Sequence, residues 1–281
     1  ETAARLLHEQ QDKKATAQIE KMLSDGVLAE GRLLALYILR SRGSLREVHL
    51  NKALVDKSAA VRRHAIRLAE GVVSDSPGLE AKLCAMANDP AGEVRYQLAF
   101  TLGELQGAAR LKALQALLKK DAEDPWVRMA VLSSLARDGG RVFQSLAADA
   151  TFRRTEGGKE FLESLAQQVG AAQQIGELGG VLQGINQLPD SEKETAVEWV
   201  RALAKKAKGD VRKTVLAARG GKAGQLLTGL VDDARRIARN KEESVERRAE
   251  AIRALRLGEF SVVRQMAPVL LELQQPVPVQ A

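Results

Sequence analysis

Aromatic residues are scarce in this chain: Phe, Tyr and Trp make up 3% of its 281 residues. A large mixed globular core would draw on more of them, whereas the abundance of Ala and Leu suits short helices packed closely in layers. A single cysteine, Cys84, excludes an internal disulfide. It sits in an apolar helical pattern with Leu83 and Met86 and reads as a small buried hydrophobe. The three histidines, His8, His49 and His64, are never spaced i, i+3 or i+4, and none stands at ligand spacing from Cys84. Metal sites need clustered ligands, so none is expected. No apolar run reaches the roughly 18 residues that a membrane-spanning helix needs. Alternating β-branched runs between Asn-Gly or Asp-Gly turns are missing, which argues against β structure.

Catalytic and nucleotide-binding motifs are missing too. There is no Gly-x-Ser-x-Gly elbow, Walker loop or dinucleotide fingerprint in a strand–turn–helix setting. Arg219-Gly220-Gly221-Lys222 lacks a preceding strand and reads as a helix stop and connector. The carboxylate pairs Asp232-Asp233, Glu242-Glu243 and Glu192 with Glu194 point in different directions on a helix and read as solvated surface. Neither a catalytic group nor a cofactor is therefore expected in this chain. It opens at Glu1 and ends at Gln280-Ala281 after a proline-spaced run, and both ends read as cuts in a longer polypeptide.

What is present is periodicity. Arg32, Arg62, Arg95 and Arg128 recur at gaps of 30, 33 and 33 residues, within GRLLAL, VRRHAI, VRYQLA and VRMAVL. The last three follow an acidic turn at Asp56, at Asp89-Pro90 and at Asp124-Pro125. A period of this length marks a stacked helical repeat. Such a stack exposes one long surface whose default work is to hold something. Helical periodicity predicts helices over 2–10, 14–24, 29–42, 44–55, 58–73, 77–88, 91–106, 108–120 and 124–138. Beyond Gly139-Gly140 the pattern loosens. A short helix is predicted over 141–149, a loop over 151–158, and helices over 159–170, 174–187, 191–208, 222–240, 243–257 and 259–273. A further short helix is a candidate over 211–216. Glycines 176, 179, 180 and 184 weaken their helix but would let a neighbour come close. The prediction is thus one all-α solenoid over 1–281, with regular repeats over 1–138 and diverged repeats over 139–281.

The segment DPAGEVRYQLAFTLGEL (89–105) resembles the HEAT repeat. That resemblance implies antiparallel helix pairs whose second helices line a concave face. It also implies a ladder in which a turn Asp meets the Arg of a neighbouring repeat. The ladder residues would be Arg32, Asp56, Arg62, Asp89, Arg95, Asp124 and Arg128. As exposed pairs they would each add only about 0–1 kcal/mol, and the face around Arg62, Arg95 and Arg128 would offer shallow, rigid recognition.

A narrower resemblance rests on ETAARLLHEQQDKKA (1–15), VRRHAIRLAE (61–70), VRYQLAFTLGEL (94–105), DPWVRMAVLSSL (124–135) and EGGKEFLESLAQQVGAAQQIGELGGVLQGI (156–185). These resemble the HEAT region of bacterial cell-envelope proteins described as membrane-bound dehydrogenases, which join a β-propeller, HEAT repeats and a c-type cytochrome domain. The resemblance implies a scaffold inside such a redox protein, located in the envelope or periplasm. Its protein partners would be the adjacent propeller and cytochrome domains or another envelope protein. The chain has no Cys-x-x-Cys-His and no propeller pattern, so neither activity transfers to these residues.

Charge supplies two rival readings. The formal net charge is +7, yet residues 200–256 hold 16 Lys+Arg against 7 Asp+Glu, so the remainder of the chain is slightly acidic. Arg201, Lys205, Lys206, Lys208, Arg212, Lys213, Arg235, Arg236, Arg239, Arg247 and Arg248 form a candidate contact surface. It could meet an acidic protein, another polyanion or, as a rival function, nucleic acid across 201–256. The missing interleaved aromatics count against single-stranded nucleic acid. A second rival is a DNA-glycosylase-like HEAT enzyme using Asp124, Trp126 and Arg128. The repeat already explains the Asp and the Arg, and Trp126 reads as packing between layers.

Overall fold

A computed structural model describes residues 13–172, 174–205, 221–255, 257–258, 260–271 and 275–280. The predicted helices over 2–10 and 211–216 lie outside this set. The described residues form helices and short 3-10 turns throughout. The chain divides into two compact units, Glu1–Leu135 and Ala136–Ala281.

In the first unit eight helices alternate between two rows. They are α1 (Lys13–Asp25), α2 (Ala29–Ser41), α3 (Glu47–Ala53), α4 (Ala59–Ala69), α5 (Pro77–Ala85), α6 (Gly92–Thr101), α7 (Gly107–Asp121) and α8 (Pro125–Ser133). The even-numbered helices pack successively side by side, while α1 meets α3 and α5 meets α7 in the other row. This is the layered pairing of an α-solenoid. The sequence dictates it through apolar positions three and four apart. Val61, Ala65, Ile66 and Ala69 on α4 and Val94, Leu98 and Ala99 on α6 are fully buried. Each such Leu, Ile or Val contributes about 1.5–3 kcal/mol by leaving water. The helices start where the sequence marks them. Pro77 and Pro125 occupy first-turn positions of α5 and α8, where a missing N–H costs nothing.

The second unit comprises α9 (Gly139–Ala148), α10 (Ala150–Arg153), α11 (Glu156–Ala172), α12 (Ile175–Asn186), α13 (Lys193–Lys205), α14 (Lys222–Arg239), α15 (Val245–Leu255) and α16 (Phe260–Leu270), with a last turn at Val277–Gln280. Residues 151–158 are therefore not a loop. The Asp149 carboxylate accepts the Thr151 and Phe152 backbone N–H groups and starts a helical turn at once, and α11 begins at Glu156. The core here includes aromatic rings among its aliphatic side chains. Phe143 and Trp199 meet edge to face at 5.0 Å, Phe152 and Phe161 at 6.4 Å, and all four are buried. A smaller cluster joins Ala234, Ala238, Ala251, Leu255, Met266 and Leu270.

Close helix approach in this unit uses part of the predicted glycine set. A methyl group at Gly180 would collide with the Gly140 carbonyl, and one at Gly184 would press on the Phe143 ring at 2.9 Å. Gly176 and Gly179 face open space and serve no such contact.

Candidate interaction surfaces

The repeated arginines form a buried ladder. Arg32 donates Nε and Nη2 to the Asp56 carboxylate at 2.6 and 2.7 Å. Arg62 does the same to Asp89 at 2.7 and 2.8 Å. The third nitrogen of each guanidinium turns back to carbonyls six and five residues earlier. Arg32 reaches Gly26 and Val27, Arg62 reaches Asp56 and Lys57, and Arg95 reaches Asp89 and Pro90. Each arginine thus holds its own turn and the next one. The carboxylates also work twice. Asp56 accepts the Ser58 N–H at 2.8 Å and Asp89 the Ala91 N–H at 2.9 Å, closing the turns in which they lie.

Three expectations change here. The acid that meets Arg95 is Asp121, at 2.6 and 2.7 Å, and not Asp124. Asp124 caps α8 instead, accepting the Trp126 and Val127 N–H groups. The pairs are not exposed. The side chains of Arg32 and Asp56 retain 6% and 10% of their accessibility, those of Arg62 and Asp89 12% and 6%. Removing one partner from a buried pair strands the other charge, at a cost of about 3–5 kcal/mol rather than the ~0–1 of a surface pair. And of the arginines expected to line an open face, Arg95 is buried and Arg62 and Arg128 are half-buried. Arg128 donates to the Ala122 carbonyl at 2.7 Å, the same six-residue return.

The ladder has a member that sequence reasoning missed. Arg153 donates to Glu192 at 2.7 and 3.0 Å and returns to the Ala147 and Ala148 carbonyls, again six and five residues back. Glu192, expected as solvated surface, is therefore enclosed. With Arg154 also donating at 2.8 Å, the two guanidinium groups hold its carboxyl pKa down at about 2. Arg32 likewise lowers Asp56. At Asp89 burial pushes upward, but the bonds from Arg62 and the Ala91 N–H bring it below the ordinary aspartate value. Arg248, expected on the basic surface, is a buried variant of the device. It donates to the Ala238 carbonyl and to Gln275.

Outside the ladder, the second-row helices present an exposed face one and five positions after each repeat arginine. It carries Tyr37 on α2, Arg63 and Arg67 on α4, Tyr96 and Phe100 on α6, and Met129 on α8. Leu34 and Trp126 extend it, at 49% and 64% exposure. Trp126 thus does not pack between layers. Neighbouring helices are cross-linked along this face. The Tyr37 hydroxyl lies 2.7 Å from His64 Nδ1 and Arg63 pairs with Glu93 at 3.0 Å, while within α6 Tyr96 meets Phe100 edge to face at 5.2 Å. Burial, then the charges of Arg63 and Arg67, lower the His64 pKa. Of the glycosylase trio, the Asp124 carboxylate is taken up as a cap and Trp126 stands in solvent.

The remaining chemistry-bearing residues are engaged locally. His49 Nδ1 accepts the Arg46 N–H at 3.0 Å, and its Nε2 lies 3.0 Å from Glu20. Burial raises the Cys84 thiol. His8 lies outside the described residues. Among the described residues no group of three or more His, Cys, Asp or Glu could hold a metal, and no helix is long and apolar enough to cross a membrane.

The basic stretch is only partly described. Lys206, Lys208, Arg212 and Lys213 lie outside the described residues. Arg235, Arg236 and Arg239 sit along α14, where Arg236 pairs with Asp233 at 2.9 Å and Arg235 approaches Asp232 at 3.7 Å. Arg201 and Lys205 on α13 and Arg247 on α15 come together around one cleft of about 500 Å³.

Residues 80–150 match the family model of HEAT repeats. No curated protein matches the chain.

Proposed function

We propose that this chain is a non-catalytic, cofactor-free scaffold that docks a protein partner on the exposed face of α2, α4, α6 and α8. One observation carries this reading: all four aromatic residues of the first unit lie exposed on that face. Tyr37, Tyr96, Phe100 and Trp126 keep between 36% and 64% of their accessibility, beside Met129 at 60%. Aromatic and Met side chains are what protein interfaces concentrate at their centres. The buried ladder beneath supports the reading by holding the helices in fixed register, so a partner meets a pre-formed surface. HEAT repeats serve as protein-interaction scaffolds, which points the same way.

The test is site-specific crosslinking. A photoreactive residue replacing Trp126 or Tyr96 should capture a defined protein, and Phe100→Ala should abolish that capture while the fold stays intact. Crosslinks that persist in the Phe100→Ala variant, or that spread over unrelated proteins, would remove this face from consideration.

The setting we propose is a bacterial cell-envelope or periplasmic redox protein, with β-propeller and c-type cytochrome domains as the partners. It is supported by the resemblance of the five quoted segments. Measuring the affinity of the chain for such a cytochrome domain tests it, and no binding at high micromolar concentration would discard this setting while leaving the docking face in place.

A further inference from the structure

We propose that the second unit carries a separate binding site, the cleft between α13, α14 and α15, and that its occupant is an acidic amphipathic helix of a protein partner. The cleft has a volume of about 500 Å³. Its floor is apolar: Leu230 and Ile237 from α14 and Leu257 just beyond α15, with alanines between them. Its rim is cationic. Arg201 and Lys205 come from α13, Arg247 and Arg253 from α15, against two acids, Asp233 and Glu250. Asp233 is already paired with Arg236, and Arg247 with Glu243. Among the described residues Arg201, Lys205 and Arg253 form no ion pair.

Floor and rim together select the occupant. A nucleic acid offers phosphates to the rim but no apolar ridge for the floor, and the floor has no aromatic ring on which a base could stack. A single-headed amphiphile could fill the floor yet would meet only one of the cations, which are spread over two helices. A helix with apolar side chains at i, i+3 and i+4 and carboxylates on its flanks satisfies both. Its leucines enter the cleft and its glutamates reach Arg201, Lys205 and Arg253. The site does not depend on the docking face of the first unit.

The experiment is fluorescence anisotropy of the full chain with a labelled helical peptide of Leu and Glu whose leucines lie on one face. A scrambled peptide of equal composition and a labelled 16-base-pair DNA duplex run beside it. The ordered peptide should bind at least tenfold tighter than the scrambled one. Arg201→Glu combined with Arg253→Glu, both exposed positions, should weaken it at least tenfold at unchanged circular dichroism. Trp126→Ala should leave it unchanged. Equal binding of the two peptides, tighter binding of the duplex, or indifference to the double charge reversal would each overturn the proposal. Should the double variant unfold, Lys205→Glu alone supplies the same reading.

Discussion

The two units place their aromatic residues in opposite ways. In the first, the core is Leu, Ile, Val and Ala, and every aromatic ring faces outward. In the second, Phe143, Phe152, Phe161 and Trp199 are buried and pair edge to face. In the first unit small and branched aliphatic side chains fill the space between the two rows of helices. In the second unit bulky rings pack against one another inside the core. One residue type thus lies on an exposed face in one unit and fills the core in the other.

Truncating the two tryptophans breaks the comparison most sharply. Trp199→Ala should destabilise by about 3–5 kcal/mol, while Trp126→Ala should stay within about 0.5 kcal/mol. Denaturant melts of both variants measure this, and equal losses would refute the division. A similar contrast separates the two aspartates of the Asp-Pro turns. Asp89→Ala strands a buried Arg62 and should cost about 3–5 kcal/mol, whereas Asp124→Ala removes a helix cap worth about 1 kcal/mol.

The glycines give a smaller effect within the second unit. Gly180→Ala should destabilise by about 1–3 kcal/mol through overpacking against Gly140. Gly176→Ala, facing open space on the same helix, should stabilise by about 0.5–1 kcal/mol. Thermal unfolding distinguishes the two signs.

Acid sharpens the comparison further. Asp56, Asp89 and Glu192 have folded-state values below their unfolded ones, so the stability they contribute is present above the unfolded value and is lost as pH falls toward the folded value. For Glu192 that window runs from about 4.5 down to about 2. Between pH 5 and 3 the melting temperature should fall. Glu192→Gln should start lower at pH 6 and fall less steeply, and a parallel decline would exclude Glu192 as a contributor.

Much of this was legible in the sequence. The repeat spacing predicted the helix pairs, and the HEAT resemblance implied a ladder of turn aspartates and arginines whose members include Arg32, Asp56, Arg62 and Asp89. The third rung was misread because Asp124-Pro125 copies the look of Asp89-Pro90. In the first unit the rungs span 24, 27 and 26 residues, short of the separation between Arg95 and Asp124, whereas the Arg153–Glu192 rung of the second unit spans 39. α7 runs on to Asp121, so its last residue brings the carboxylate to the place that a turn supplies elsewhere. Arg153 was hidden because a helical turn of only four residues has too few positions to show periodicity. The outward aromatics were invisible for another reason. Periodicity says that a ring shares a face with its neighbours, while which row of helices covers that face is decided by packing.

The ladder also bears on how such a chain grows or shrinks. The acid and the base of each rung in the first unit both fall within one period, so excising residues 62–94 would remove Arg62 and Asp89 together and leave Asp56 with Arg32 and Asp121 with Arg95. Duplicating the same segment would add a matched couple. Gains and losses of whole modules leave no orphaned ion behind, so length can drift in evolution by single steps that electrostatics does not penalise.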